Sequence, residues 1–102
     1  MDRVVLTETI EKNRIEWSSH CLRVMLERGI SRDAVKYVVR FGEVIEDYPE
    51  VQPFPCALIF EFWQNMPLHV VVAYDANEKK AYIITAYLPD EEHFESDFKT
   101  RR

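Results

Sequence analysis

The sequence is poor in the residues that build several common kinds of site. Only two of its 102 residues are glycine, Gly29 and Gly42, so it has no glycine-rich loop of the kind that holds a phosphate. Its two cysteines, Cys21 and Cys56, are too few for a disulfide framework and too isolated for a zinc site. The three histidines are scattered and form no pair at the spacing of metal ligands. We therefore expect no metal, no cofactor and two reduced thiols.

Long apolar segments are missing as well. No run reaches the length of about 18 residues that a transmembrane helix requires. The N-terminus lacks the basic start and apolar stretch of a signal peptide. With 47% hydrophobic and 30% charged residues, the composition is typical of a globular protein. A cytoplasmic location is the default expectation.

Positive charge is not in excess. The formal net charge is −5, which argues against a protein that holds nucleic acid by bulk charge alone. Much of the acidic excess lies between Asp90 and Asp97, and Lys99, Arg101 and Arg102 follow it at once. A locally basic groove therefore remains compatible with the sequence.

What the sequence does contain is centred on the stretch from Pro67 to Pro89. Two arms, Leu68–Tyr74 and Ala81–Tyr87, are rich in β-branched and aromatic residues, and polar turn formers separate them. The pattern predicts a β-hairpin in the middle of a sheet, because both faces of each arm are apolar. In one register His69 and Tyr87 share a face, and in the other they do not. The turn sequence leaves both registers open.

Helices and two more strands are predicted before this hairpin. Serine caps, apolar stripes and terminal glycines define two helices, after which the apolar period changes to that of strands. A further helix is expected within the first 14 residues, capped by Thr7 or Thr9. The predicted elements are helices over Ser19–Arg28 and Arg32–Arg40 and strands over Glu43–Tyr48 and Ala57–Trp63.

The expected fold is a single α+β domain over residues 1–102. N-terminal helices pack on one face of a four-stranded antiparallel meander sheet. Residues 1–14 are expected to form a helical arm, residues 15–90 the core and residues 91–102 a charged tail. The expected core includes Leu22, Val35, Val38, Val70 and Val72.

Several motifs follow one another in an order that resembles a known family. They are Trp17-Ser18-x-His20-x-x-Arg23-x-Met25-x-Glu27-Arg28-Gly29-Ile30-Ser31, Gly42-Glu43-x-Ile45-Glu46-x-Tyr48-Pro49, Pro53-x-Pro55, Pro67-Leu68-His69-Val70-Val71, Ile83-Ile84-Thr85-Ala86-Tyr87-x-Pro89-Asp90 and Lys99-x-Arg101-Arg102. This pattern resembles domain-of-unknown-function family 4258. The resemblance implies kinship with RelE-like ribonuclease toxins of the barnase-like superfamily. It also implies RNA as substrate and a small zinc-ribbon, antitoxin-like protein as partner.

Metal-independent RNA cleavage through the 2′-hydroxyl needs a base, an acid and a cation for the phosphate. Histidine serves either proton role, arginine binds phosphate oxygens, and tyrosine donates a proton or stacks on a base. With the resemblance, this chemistry selects the candidate residues. The expected catalytic residues are His69, His20, Arg23 and Tyr87, and the expected substrate contacts are Tyr48, Thr85, Arg101 and Arg102.

Each candidate also has a structural interpretation. His20 and Arg23 fit a solvated helix face, and the C-terminal arginines fit a solvated tail. An imidazole in the apolar strand around His69 must be either fully hydrogen-bonded or functional. We expect the functional arrangement, with one ring nitrogen open to a groove. The competing function is a non-catalytic protein-binding module that keeps the toxin-like fold, and the acidic net charge favours it.

Overall fold

The computed structural model describes all residues from Met1 to Arg102. Three helices precede most of the sheet, and the last four strands follow one another through short connections. The elements are α1 (Arg3–Glu11), β1 (Ile15–Trp17), α2 (Ser19–Arg28), α3 (Arg32–Phe41), β2 (Glu43–Tyr48), β3 (Cys56–Trp63), β4 (Met66–Asp75) and β5 (Lys80–Tyr87). No helix is long and apolar enough to cross a membrane.

The helix ends follow the local chemistry of the sequence. The hydroxyl of Ser18 accepts a hydrogen bond from the Cys21 amide at 2.9 Å, which satisfies a free N–H at the start of α2. Gly29 ends α2 with a φ of +68°, in the left-handed region that favours glycine. The expected cap of the first helix was wrong, because Asp2 caps α1. Thr9 lies inside that helix and bonds back to the Val5 carbonyl.

The sheet has five strands in the order β1-β5-β4-β3-β2. The four later strands form the predicted antiparallel meander, but β1 adds a fifth strand that runs parallel to β5. The expected four-stranded, wholly antiparallel sheet is therefore corrected to a mixed one. A strand of three residues is too short to display a two-residue period, which is why the sequence pattern did not reveal β1.

One face of the sheet, here called the helix face, packs against the helices around a core that includes Leu68, Val70 and Val72. Of the predicted core, Val35 and Val38 are also fully buried, whereas Leu22 is only half-buried. Leu26, which follows Leu22 by four residues and therefore lies on the same side of the helix, is 85% exposed. The core-facing stripe of α2 runs instead through Cys21 and Met25. The buried pair keeps a four-residue spacing but lies one position before Leu22 and Leu26.

Gly42 allows α3 and β3 to approach each other closely. A Cβ atom built at this position would lie 2.5 Å from the Val38 carbonyl oxygen and 2.7 Å from the Phe60 carbonyl oxygen. Both neighbours are backbone atoms, so they cannot rotate away. The glycine is required here for space, since its φ of −77° is open to any residue.

Candidate functional site

The opposite face of the sheet, here called the tail face, carries polar and aromatic side chains. Residues 89–102, here called the tail, fold back over part of it. The tail face is formed by Glu43, Glu46 and Tyr48 of β2, Leu58, Phe60 and Phe62 of β3, His69 and Val71 of β4, and Thr85 and Tyr87 of β5. All the sequence-predicted site residues of the sheet are therefore on one face.

A β-bulge resolves the register that the turn sequence left open. Near the turn Val72 pairs with Ile83, but beyond the bulge Val71 pairs with Thr85 and His69 pairs with Tyr87. The extra residue, Ile84, shifts the pairing by one position. Both registers thus occur in one hairpin, and the bulge places His69 directly opposite Tyr87.

His69 is fully buried, and both of its ring nitrogens are hydrogen-bonded. Nε2 lies 2.6 Å from the Phe98 carbonyl oxygen, and Nδ1 lies 3.2 Å from the Tyr87 hydroxyl. A carbonyl can only accept, so Nε2 carries the proton and donates it to Phe98. Nδ1 is then the acceptor for the Tyr87 O–H. The expected open ring nitrogen was wrong, because the tail supplies an acceptor that the strand sequence does not show.

The surroundings set the protonation of this pair. Burial lowers the pKa of His69 below its ordinary value, while the Phe98 carbonyl and the charge of Glu46 oppose the shift. Burial also raises the pKa of the Tyr87 phenol. At neutral pH the imidazole and the phenol are both uncharged. A neutral imidazole that accepts a hydrogen bond from a phenol can take the phenol's proton when negative charge develops on the phenol oxygen.

The tail is held over His69 by aromatic contacts and its own turns. The Phe94 side chain is 2% exposed and meets the His69 ring edge-on, with ring centroids 4.6 Å apart. Asp97 accepts hydrogen bonds from the backbone amides of Lys99 and Thr100, which closes the turn that follows Phe98. The tail therefore contains neither a helix nor a long strand, and local turns shape it.

Glu46 links β2 to the tail. Arg101 donates to its two carboxylate oxygens at 2.5 and 3.0 Å, and the Tyr48 hydroxyl also donates to it. The hydrogen bond from Arg101 lowers the pKa of Glu46. Arg101 also lies over the Phe94 ring, 5.0 Å from its centroid. The Arg101 side chain is 54% exposed while it pairs with Glu46, and its expected contact with a substrate phosphate stays a prediction.

Arg102 also folds back onto the tail. Its guanidinium donates to the carbonyls of Glu91 and Phe94 and lies 3.2 Å from the Glu95 carboxylate. In this arrangement the residue stabilises the tail itself. Its expected contact with a substrate phosphate stays a prediction.

His20 contacts the tail face at β5, and Arg23 follows His20 on α2. His20 is exposed on the first turn of α2, and its Nε2 lies 3.3 Å from the Thr85 hydroxyl. Thr85 and Tyr87 lie on the same side of β5, two residues apart, as predicted. Arg23 is exposed one turn along α2. The structure therefore brings His20 to the row that begins with Thr85 and continues through Tyr87 to His69.

Several participants were not identified from the sequence. Glu46 was part of a strand motif, and Phe60, Phe94 and Phe98 looked like packing residues, so no local pattern marked them. Their role depends on the tail folding back, which strand or helix periods do not encode.

Elsewhere, the exposed side chains of Asp90, Glu92 and His93 lie close enough to share a cation, a group that the histidine spacing did not suggest.

These features define a small α+β domain with a His–Tyr pair on a covered sheet face. A family model described as Domain of unknown function (DUF4258) matches residues 17–88. The match spans more than half of the chain, and the chain belongs to this family. No curated protein and no solved structure matches it. The matched stretch contains His20, His69 and Tyr87, whereas the tail lies beyond its end.

Proposed function

We propose that the protein is a metal-independent RNA endonuclease of the RelE-like, toxin–antitoxin type. The observation that carries the proposal is the hydrogen-bonded row from the tyrosine hydroxyl through an uncharged imidazole to an oxygen acceptor. A phenol in this position can donate its proton to the imidazole while its oxygen accepts a proton from a substrate hydroxyl.

The order of elements supports the same proposal. A helical pair and an antiparallel meander follow one another, the arrangement that the resemblance to RelE-like toxins implies, and β1 is an additional strand. Fold alone does not dictate activity, so the argument depends on the side chains of the tail face. Those side chains include the histidine and tyrosine that can transfer protons in cleavage through the 2′-hydroxyl, and Arg23 of α2 is the proposed phosphate-binding residue.

In the proposed reaction the RNA 2′-hydroxyl gives its proton to the Tyr87 oxygen as Tyr87 gives its own to Nδ1 of His69. The 2′-oxygen attacks the phosphorus, and the bond to the 5′-oxygen of the next nucleotide breaks. His20, as an imidazolium, protonates that leaving oxygen, and Arg23 stabilises the charge on the phosphate. The products are a 2′,3′-cyclic phosphate and a 5′-hydroxyl end. His69 receives this proton through Tyr87 and makes no contact with the 2′-hydroxyl itself.

The test is RNA cleavage in the presence of EDTA, with product ends analysed. We expect cyclic-phosphate ends from the natural chain. Tyr87→Phe should reduce the rate by about 10²-fold or more, because it removes the group that exchanges the proton. Tyr82→Phe is the matched control, since Tyr82 lies on the same strand but stacks on Phe54, away from His69. Equal rates for both variants would contradict the proposal.

A protein-binding module is the second candidate, and the complete hydrogen bonding of His69 favours it. In that case the tail face would stay closed, and the chain would bind its partner elsewhere on the surface. The small zinc-ribbon partner expected from the resemblance stays a prediction under both candidates. Absence of any cleavage by the natural chain and by variants with a loosened tail would favour the module.

A further inference from the structure

The surface under the tail has the chemistry of a stacking site. Phe60 and Phe62 lie on the tail face of β3 with ring centroids 5.2 Å apart, and Phe60 meets His69 at 5.5 Å. Phe62 is 45% exposed, so part of its ring is open to a ligand. Flat rings beside hydrogen-bonding side chains form the kind of surface that binds unpaired bases.

Phe98 of the tail occupies this surface with its ring tilted at 48° to Phe60 and edge-on to Phe62, so it is not stacked on either ring. Its ring lies 6.4 Å from both Phe60 and Phe62, measured between centroids. Its carbonyl oxygen accepts the hydrogen bond from Nε2 of His69. An RNA nucleotide offers the same two elements, a flat ring and an oxygen acceptor on a phosphate.

The tail is joined to the sheet by aromatic contacts of Phe94 and Phe98 and by polar contacts that water and salt can replace. Arg101 binds Glu46, and Lys99 lies 3.2 Å from Glu43. The tail itself carries five carboxylates and three basic side chains, so it places net negative charge over this face. That charge repels an incoming polyanion while the tail is closed.

We infer that the tail is a displaceable cover and that the surface beneath it, formed by Phe60, Phe62 and His69, binds single-stranded RNA by stacking. This inference rests on the proposed function and names how its substrate is admitted. On opening, a base takes the place of the Phe98 ring, and a phosphate oxygen takes the place of its carbonyl at Nε2. The Tyr87 hydroxyl keeps its bond to Nδ1 in both states.

The inference is tested in the full chain with two substitutions that weaken the contact between the tail and the sheet, one on each side of that contact. Arg101→Gln removes a positive charge from the tail, and Glu46→Gln removes a negative charge from the sheet. Both break the same ion pair. Arg28→Gln and Glu27→Gln are charge-matched controls, because both residues are exposed on α2, away from the tail. Circular dichroism establishes that each variant is folded.

The probe is a fluorescent 2′-O-methyl oligouridine, which has no free 2′-hydroxyl and so cannot be cleaved. We expect both cover variants to bind it about threefold to tenfold more tightly than the natural chain. Each control should change the affinity only by the amount that its change in charge produces. Because the two cover substitutions change charge in opposite directions, a shared increase reports opening. An affinity that merely follows net charge would overturn the inference.

A second substitution locates the binding surface. Phe62→Ala in the Glu46→Gln background should weaken binding of the probe about tenfold, since it removes a stacking partner. The same substitution in the closed natural chain should have a much smaller effect. Equal effects in the two backgrounds would overturn the inference.

The outcomes separate this inference from the proposed function. If the cover variants bind the probe more tightly but no variant cleaves RNA, the proposed activity is wrong and the cover stands. If the natural chain cleaves RNA but the cover variants bind no better than their controls, the activity stands and the cover is wrong.

Discussion

Both faces of the sheet are covered, the tail face only in part, and they are covered by different means. The helix face is covered by apolar side chains of three helices that belong to the main body of the fold. The tail face is covered in part by a segment without regular secondary structure, which is held by two ion pairs and a few aromatic contacts. Burial alone therefore does not distinguish a permanent core from a covered surface. The difference lies in how much of the molecule must move to expose each face.

Truncation of a helix-face side chain should have the largest effect on stability. Leu68→Ala removes a fully buried side chain, so we expect a loss of about 2–5 kcal/mol in the free energy of unfolding. Leu26→Ala is the matched control, because the same change at an 85% exposed position should cost less than about 0.5 kcal/mol. Chemical denaturation measures both. Similar losses at the two positions would contradict the assigned core.

A buried tail residue should matter less than a buried strand residue. Phe60 and Phe94 are 5% and 2% exposed, so burial predicts similar costs for their replacement by alanine. If the tail opens by itself, however, the loss at Phe94 is limited to the free energy that docks the tail. We expect Phe94→Ala to cost at least about 1 kcal/mol less than Phe60→Ala. Denaturation curves that show equal losses would mean that the tail is part of the core.

The dependence of stability on pH should reveal the uncharged His69. Its pKa is lowered in the folded state, so below the ordinary value of 6.5 the unfolded chain binds more protons than the folded one. Stability therefore falls as pH decreases from about 6.5 toward the lower folded pKa. The carboxylate of Glu46 adds its own loss at lower pH, below its ordinary value of 4.5. His69→Gln should flatten the first decrease, measured by denaturation between about pH 7 and pH 5. An unchanged slope would contradict a neutral His69.

Much of the fold was predictable because its signals are local. Serine caps, Gly29 and the alternation of β2 gave element bounds within a residue or two of the observed ones. Strand β1 was missed because three residues carry no period. The apolar residues of α2 fit two neighbouring stripes, one through Leu22 and one through Cys21 and Met25, so Leu22 was placed in the core although it is only half-buried.

The candidate site was predictable in part. His20, His69, Thr85 and Tyr87 were selected by residue type and resemblance, and all four belong to one row across the tail face. Their hydrogen bonds were not predictable. The pairing of His69 with Tyr87 depends on a bulge, and its burial depends on a tail that lies 29 residues farther along the chain at Phe98.

Native-state hydrogen exchange tests the difference between the two faces most directly, because it needs neither RNA nor a substitution. The reporters are the tail amides of Glu95 and Arg102, which bond to the Thr100 and His93 carbonyls, and the paired amides of β3 and β4. We predict that the tail amides exchange through a local opening of lower free energy, while the strand amides exchange only on global unfolding. A single free energy of exchange for both sets would contradict the displaceable cover.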